Sequence, residues 1–305
     1  MHLKESGILA RIRELLPGGS GLVDDCGALP PTPSGQHLLV TTDLMESGQH
    51  FHLDWHPPDL LARKLLTVNL SDLDASGARP IGFTLTLALG PEITTPWLET
   101  FLGGLAAGAR EASVQVIGGD TVGRPGGLGL GLTAFGFASR WLRRDGLQPG
   151  DRIYLDQRPG ASLRGLRKLQ AGQRWDPHQP DPDLAAHLDP RPNLGLGLNL
   201  ASIPEVHACL DLSDGLSRDL RNLAQASGVS ILLEGDWDEA TLRGGEDYAR
   251  CFGSSLPLGK LEAALGLPLL PVGRAMEQGA SPLLVYDGTG TRALPDLGFD
   301  HFAHD

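Results

Sequence analysis

Acidic side chains come first, because they stand where several could work on one ligand. Asp24 and Asp25, Asp43, Asp72, Asp120, and the pair Asp211 and Asp214 fall where apolar runs end or helical patterns begin. In open α/β sheets the carboxyl ends of the strands border the crevice that receives ligands. Carboxylates gathered there would repel one another and rise in pKa unless cations stood between them. An oxygen-only donor set selects Mg²⁺, and Mg²⁺ in turn recruits phosphates. Each aspartate alone also has a plain structural reading: acids after strands form turns, and Asp214 before Gly215-Leu216 is placed to cap a helix. Asp72 differs, since it lies inside a helical pattern beside Leu70 and Leu73, where an unpaired charge is costly.

Two further segments, Gly118-Gly119-Asp120-Thr121 and Gly244-Gly245-Glu246-Asp247, read as glycine turns that present an acid at close range to a ligand. His50, shortly after Asp43, is either a substrate contact or an ordinary partly buried histidine. The sequence has no GxxxxGK[ST], no GxSxG and no HExxH, so P-loop, nucleophilic-serine and zinc-hydrolase chemistry lack their parts. A formal charge of -12 disfavours nucleic acid and anionic membrane as partners. Small phosphorylated ligands remain compatible with that charge if cations stand between them and the carboxylates. Cys26, Cys209 and Cys251 are far apart, with no CxxC spacing, which argues against a disulfide framework or a structural zinc. No apolar run reaches spanning length, and the first residues look amphipathic rather than signal-like. A soluble cytoplasmic protein is expected.

Stepping from these residues to their scaffold, 305 residues suit two α/β domains. Ile8 to Leu16 has helical spacing, and Leu38 to Val40 reads as a buried strand that delivers Thr41-Thr42-Asp43 at its end. A helix follows from Pro57-Pro58 to the stop at Gly77. Ile81 to Leu89 alternates as a strand with Ile81, Phe83, Leu85, Leu87 and Leu89 on one face. Pro96 to Ala112 reads as helix, Val114 to Ile117 as a strand breaking into Gly118-Gly119-Asp120, and Leu128 to Ala138 as a glycine-rich strand. The connection 143–151 marks a boundary, dividing 1–142 from 143–305. Beyond it, 152–155, 208–212, 231–233 and 283–286 read as strands, the last ending in an Asp287-Gly288 turn, and 216–226 as helix; 170–193 reads as a surface loop with about one helical turn.

Read in order, GLVDDCGAL, VTTDLMESGQHF, KLLTVNLSDLDASGARP, VIGGDTVG, DGLQPGD, LDLSDGLSRDL, GGEDYARCF and the final GFDHFA resemble the thiamine-monophosphate kinases. These belong to the superfamily of aminoimidazole ribonucleotide synthetase and selenophosphate synthetase, and the likeness spans almost the whole chain. It implies a homodimer of two-domain α/β protomers whose N-terminal mixed sheets join as a shared barrel. It implies also ATP as co-substrate, several Mg²⁺ ions, and thiamine monophosphate as acceptor, without nucleic acid or membrane partners. Carried over by position, Asp25, Thr41, Thr42, Asp43, Asp72, Asp120, Asp211 and Asp214 would hold Mg²⁺. Gly119, Asp120, Arg144 and Ser213 would meet ATP, and His50, Glu246 and Phe299 would line the acceptor site.

The resemblance implies direct in-line transfer, and the residues agree: a phosphate monoester, with a second pKa of about 6, needs no strong base. Three departures stand out: GLVDD for the family's GIGDD, a shortened stretch from Ile231 to Gly244 that suggests a lost helix, and GGEDYAR where relatives commonly write GGEDYEL. Another activity of the superfamily, or a nucleotide-binding regulator without turnover, is the alternative reading.

Overall fold

The computed structural model describes residues 24, 26–28, 35–286 and 290–299. The expected helix over 8–16, Val23, Asp25, the Asp287-Gly288 turn and most of the GFDHFA segment lie outside them. Two open sheets carry the chain. The first has the order β1-β2-β5-β3-β4, built from Gly27–Ala28, His37–Glu46, Arg79–Leu89, Gln115–Gly123 and Leu128–Ala138 numbered in chain order. β2, β5 and β3 pair antiparallel, and β3 and β4 pair parallel.

The parallel pair is joined by α2 (Thr95–Glu111), which packs against α1 (Pro58–Ala75) over the sheet. α1 begins at a proline whose missing N–H is no loss in a first turn. It ends where Gly77, at φ +72°, donates to Asp74 O and lets Ala78 N return to Leu73 O. Between those ends Leu61, Leu65, Leu66 and Leu73 are buried against Leu128, Leu130 and Leu132 of β5 and Phe101 of α2. Full burial of each such leucine contributes roughly 1.5–3 kcal/mol.

The second sheet has the order β12-β11-β8-β10-β6-β9-β7. Its strands are β6 (Arg152–Leu155), β7 (Val206–Asp211), β8 (Ser230–Leu233), β9 (Arg250–Ser254), β10 (Leu270–Met276), β11 (Leu283–Tyr286) and β12 (Thr291–Ala293). Alternate residues serve two cores. Ile153, Leu155, Leu210 and Cys251 pack beneath α6 (Leu216–Ser227). Tyr154, Cys209 and Phe252 pack on the other side with α5 (Leu196–Ala201), α8 (Leu258–Leu265) and Ala75 at the end of α1. α1, which lies over the first sheet, is therefore also part of the second sheet's covering layer.

Several elements differ from their sequence reading. β2 does not stop at Val40 but runs to Glu46, because ten consecutive residues find partners on β5, Asp43 opposite Leu132 among them. β4 likewise runs through Gly118-Gly119-Asp120, so that segment is an extended edge strand and not a turn. A register shift between Pro80 and Gly82 turns Ile81 outward, away from the face it was expected to share with Phe83. The stretch 170–193 contains α4 (Pro182–Leu188), which Asp181 caps by accepting from Asp183 N and Leu184 N. The shortened 231–244 stretch still forms a small helix, α7 (Glu239–Arg243). Among the described residues, α3 (Ala161–Gln170) completes the α-helices.

Candidate active site

A cleft of about 480 Å³ lies between the two sheets. α1 supplies one wall, β2 and the loop after it a second, and the loops following β7 and preceding β9 a third. On α1, Lys64, Val68, Ser71 and Asp72 recur at spacings of three and four, so one stripe of the helix faces the site. On β2, alternation puts Thr41 and Asp43 on the α1 side; Thr41 donates its hydroxyl proton to Asp72 Oδ2 at 2.5 Å. Thr42 points the other way, its Oγ1 on Leu132 O and Thr133 Oγ1.

Asp43 and Asp211 form the charged centre. Burial, and then the neighbouring Asp211 charge, push the Asp43 carboxyl up to about 6. Asp211 is 1 % exposed; its Oδ2 receives the Ser71 hydroxyl and its Oδ1 has no hydrogen-bond partner. Two carboxylates crowded in this way, one with an orphaned buried oxygen, suit a hard cation bound between them. Among the described residues no three His, Cys, Asp or Glu side chains approach closely enough to hold one ion by themselves. Further oxygen ligands would have to come from a phosphate or water.

Asp214 and Ser213 line the cleft just beyond β7. The capping role expected of Asp214 falls to Asp219, whose Oδ2 accepts from Asp214 N and Gly215 N. Burial, reinforced by Asp214, raises the Asp219 carboxyl well above its usual range. The loop 244–249 is clamped to this turn: Glu246 N donates to Ser213 O and Tyr248 N to Leu212 O, each at 2.8 Å. That clamp holds Glu246 and Tyr248 at φ of +62° and +51°, a conformation side chains other than glycine adopt reluctantly.

At the far end of the cleft Glu246 meets Lys64 Nζ at 2.8 Å and His187 Nδ1 at 3.3 Å. Burial raises the Glu246 carboxyl, but Lys64, His187 and His50 together hold it below its ordinary value. His50 accepts Glu46 N on Nδ1 at 3.0 Å and lines the same space with Phe51, His52, Trp55, Tyr248 and Phe299. Phe299 N donates to Asp214 O, tying the end of the described chain to the site. The arrangement offers acids at one end and an aromatic, acid-tipped chamber at the other.

Not every expected residue enters this cleft. Gly119 and Asp120 sit on exposed β4, outside its lining. Gly119 has φ +154°, and a Cβ there would lie 2.0 Å from Leu85 O, so only glycine permits this pairing of β4 with β3. Arg144, in the 3-10 turn after the first sheet, donates its N–H to Asp24 Oδ1 at 2.6 Å and feels the charge of Asp219. Sequence reasoning passed over Lys64 and His187. Lys64 carried the same signal as Asp72, a charge within an apolar helical stripe, whereas His187 lies in a segment without periodicity.

Residues 23–138 match the family model described as AIR synthase related protein, N-terminal domain. The match spans the first sheet with α1 and α2, and so marks the class of protein to which that half of the chain is similar. Over 93% of its length it is 38% identical to the thiamine-monophosphate kinase of Salmonella typhimurium, of which 92% is covered. Among solved structures, the thiamine-monophosphate kinase of Stenotrophomonas maltophilia is 34% identical with a TM-score of 0.73, covering 94% of this chain and 98% of that one. AaThiL complexed with AMPPCP and TMP superimposes with a TM-score of 0.86 at 26% identity, covering 99% of both chains. The chain belongs to the thiamine-monophosphate kinase family and is a phosphotransferase.

Proposed function

We propose that the protein transfers the γ-phosphoryl group of ATP to the phosphate of thiamine monophosphate, by direct in-line displacement, to give thiamine diphosphate. The observation that carries this is the cleft, with Asp43 and Asp214 at one end, Asp211 buried behind them where its charge reaches Asp43, and the Glu246, His50 and Phe299 chamber at the other. ATP binds with its phosphates over the acidic end, against Ser213 and Arg144. Thiamine monophosphate binds with its cationic ring toward Glu246 and the aromatic walls. Phe299 closes the acceptor side, while Gly119 and Asp120 lie on β4 outside the lining of the cleft.

Asp25, Asp43, Asp72, Asp211 and Asp214, with Thr41, would hold several Mg²⁺ ions, which neutralise charge on both phosphates when bound; the Thr42 hydroxyl, turned to Leu132 and Thr133, and Asp120, outside the cleft, do not join that set. The chain itself supplies no nucleophile. It brings the two phosphates into line, excludes water at the buried Asp211 end, and leaves the already anionic acceptor oxygen without need of a base. We assign 1–142 to metal and nucleotide binding and dimerisation, and 143–305 to completing the cleft.

The dimer reading rests on the first sheet. Val116 and Ile117 on β4 are 60 % and 62 % exposed, with Leu44, Ile81 and Val122 also outward. A second copy covering this surface would make the shared barrel. Use of ATP fits work in the cytoplasm.

The test is formation of thiamine diphosphate by the purified protein from ATP and thiamine monophosphate with Mg²⁺. Acceptor-dependent product is expected, and Asp43→Asn should lower turnover by roughly 10²–10³-fold or more while leaving the fold intact. ATP binding without any product would overturn the kinase reading in favour of a nucleotide-binding regulator.

A further inference from the structure

Arg250 is fully buried, a costly place for a guanidinium. Its partners explain the position. Nε donates to Asp74 Oδ2 at 2.7 Å, and Nη1 donates to Tyr248 O and to Ser71 Oγ, both at 2.9 Å. Asp74 in turn accepts Gly195 N at 2.6 Å and Gly197 N at 3.2 Å, so its charge is fully engaged.

The consequence lies one bond further on. A guanidinium can only donate, so Ser71 Oγ must accept from it. The single proton of Ser71 is then committed to Asp211 Oδ2, the contact already present. With Oδ2 held by Ser71, Asp211 keeps a buried, partnerless Oδ1, and the charge of the same carboxylate reaches Asp43. Asp74 matters for a second reason: a lone guanidinium this close would repel a divalent cation, whereas the Arg250–Asp74 pair is neutral overall.

We infer that Arg250 and Ser71 are positioning residues for the metal centre, orienting Asp211 through a fixed chain of hydrogen bonds. This rests on the reading of Asp211 as a metal ligand. Outer-shell partners of metal ligands characteristically change metal affinity by about 10–100-fold.

The test is Mn²⁺ binding to the full chain, measured by calorimetry in the presence of AMPPCP, with thermal unfolding to verify the fold. Ser71→Ala removes one oxygen and serves if Arg250→Met does not fold. Each variant should bind Mn²⁺ about tenfold more weakly, and the double variant no more weakly than the worse single one, because both act through one path. Wild-type affinity in folded Ser71→Ala would overturn the positioning role. Absence of Mn²⁺ binding by the unaltered chain would instead remove the metal reading beneath it, and this role with it.

Discussion

His187 and Asp247, close together beside the acceptor chamber, have ionisations of opposite sense. Burial first, and then the Lys64 charge, lower the His187 pKa from 6.5 to about 4, against the pull of Glu246. The unfolded chain therefore takes up more protons between those values, so stability is complete above about 6.5 and falls as pH drops, by about 3 kcal/mol in all. Asp247 behaves inversely. Burial raises it from 3.8 to about 6 despite N–H bonds from Gly160 and Ser162. Its folded form holds the extra proton, so stability present at pH 4 is lost as pH rises to 6, by about 2 kcal/mol at a half-buried position. The two largely cancel in the wild type. Denaturant titrations at pH 4.5, 5.5 and 6.5 should show His187→Gln losing stability as pH rises relative to wild type, and Asp247→Asn losing it as pH falls. Parallel pH profiles for all three proteins would contradict these shifts. At this scale a charge interrupting a periodic pattern, as at Asp72, was the readable signal, and the fold gives that charge the Thr41 hydroxyl as a partner. The sequence was silent on Asp211 Oδ1 and marked Arg250 only as a departure, because the meaning of both depends on partners far away in the chain.

The elements were legible where local pattern and tertiary demand agree. α1, α2, β5, β6 and α6 fall close to their expected bounds, the helices burying one stripe each and β6 giving alternate residues to two cores. They were misjudged where pairing overrides composition. Glycines in β4 suggested a break, yet the parallel ladder with β3 continues through them after a register shift that skips Ile117. The close approach of Leu85 O at Gly119 makes this the sensitive point of that ladder. Gly119→Ala should lower stability by about 2 kcal/mol or more through displaced backbone. Thermal unfolding measures it, and an unchanged midpoint would show that β4 can shift at no cost. An equivalent change at Gly126, where an added Cβ meets nothing within 4 Å, is the control.

For the molecule as a whole, the two-sheet α/β plan was readable, while the open outer surface of the first sheet was not. Alternation in β3 implied a closely packed or polar second face, and the bulge at Ile81 with the apolar tips of β4 gives an outward apolar surface instead. If two copies share it, Ile117→Lys places a charge in the joint and should convert a dimer to a monomer in light scattering. A dimer that survives this change would locate the joint elsewhere.

The bonds around Asp74 also bear on how the chain is made. A ribosome delivers α1 long before its partners: Gly195 follows Asp74 by 121 residues and Arg250 by 176. Until then the nascent first half carries a carboxylate and the bare Ala75 end of α1, with nothing to cover them. A fragment ending at residue 142 should therefore fail to give a sharp unfolding transition, and should regain one when residues 143–305 are supplied in trans. Completion of native structure is thus deferred until β9 has left the exit tunnel, and synthesis itself sets the order in which the two halves commit.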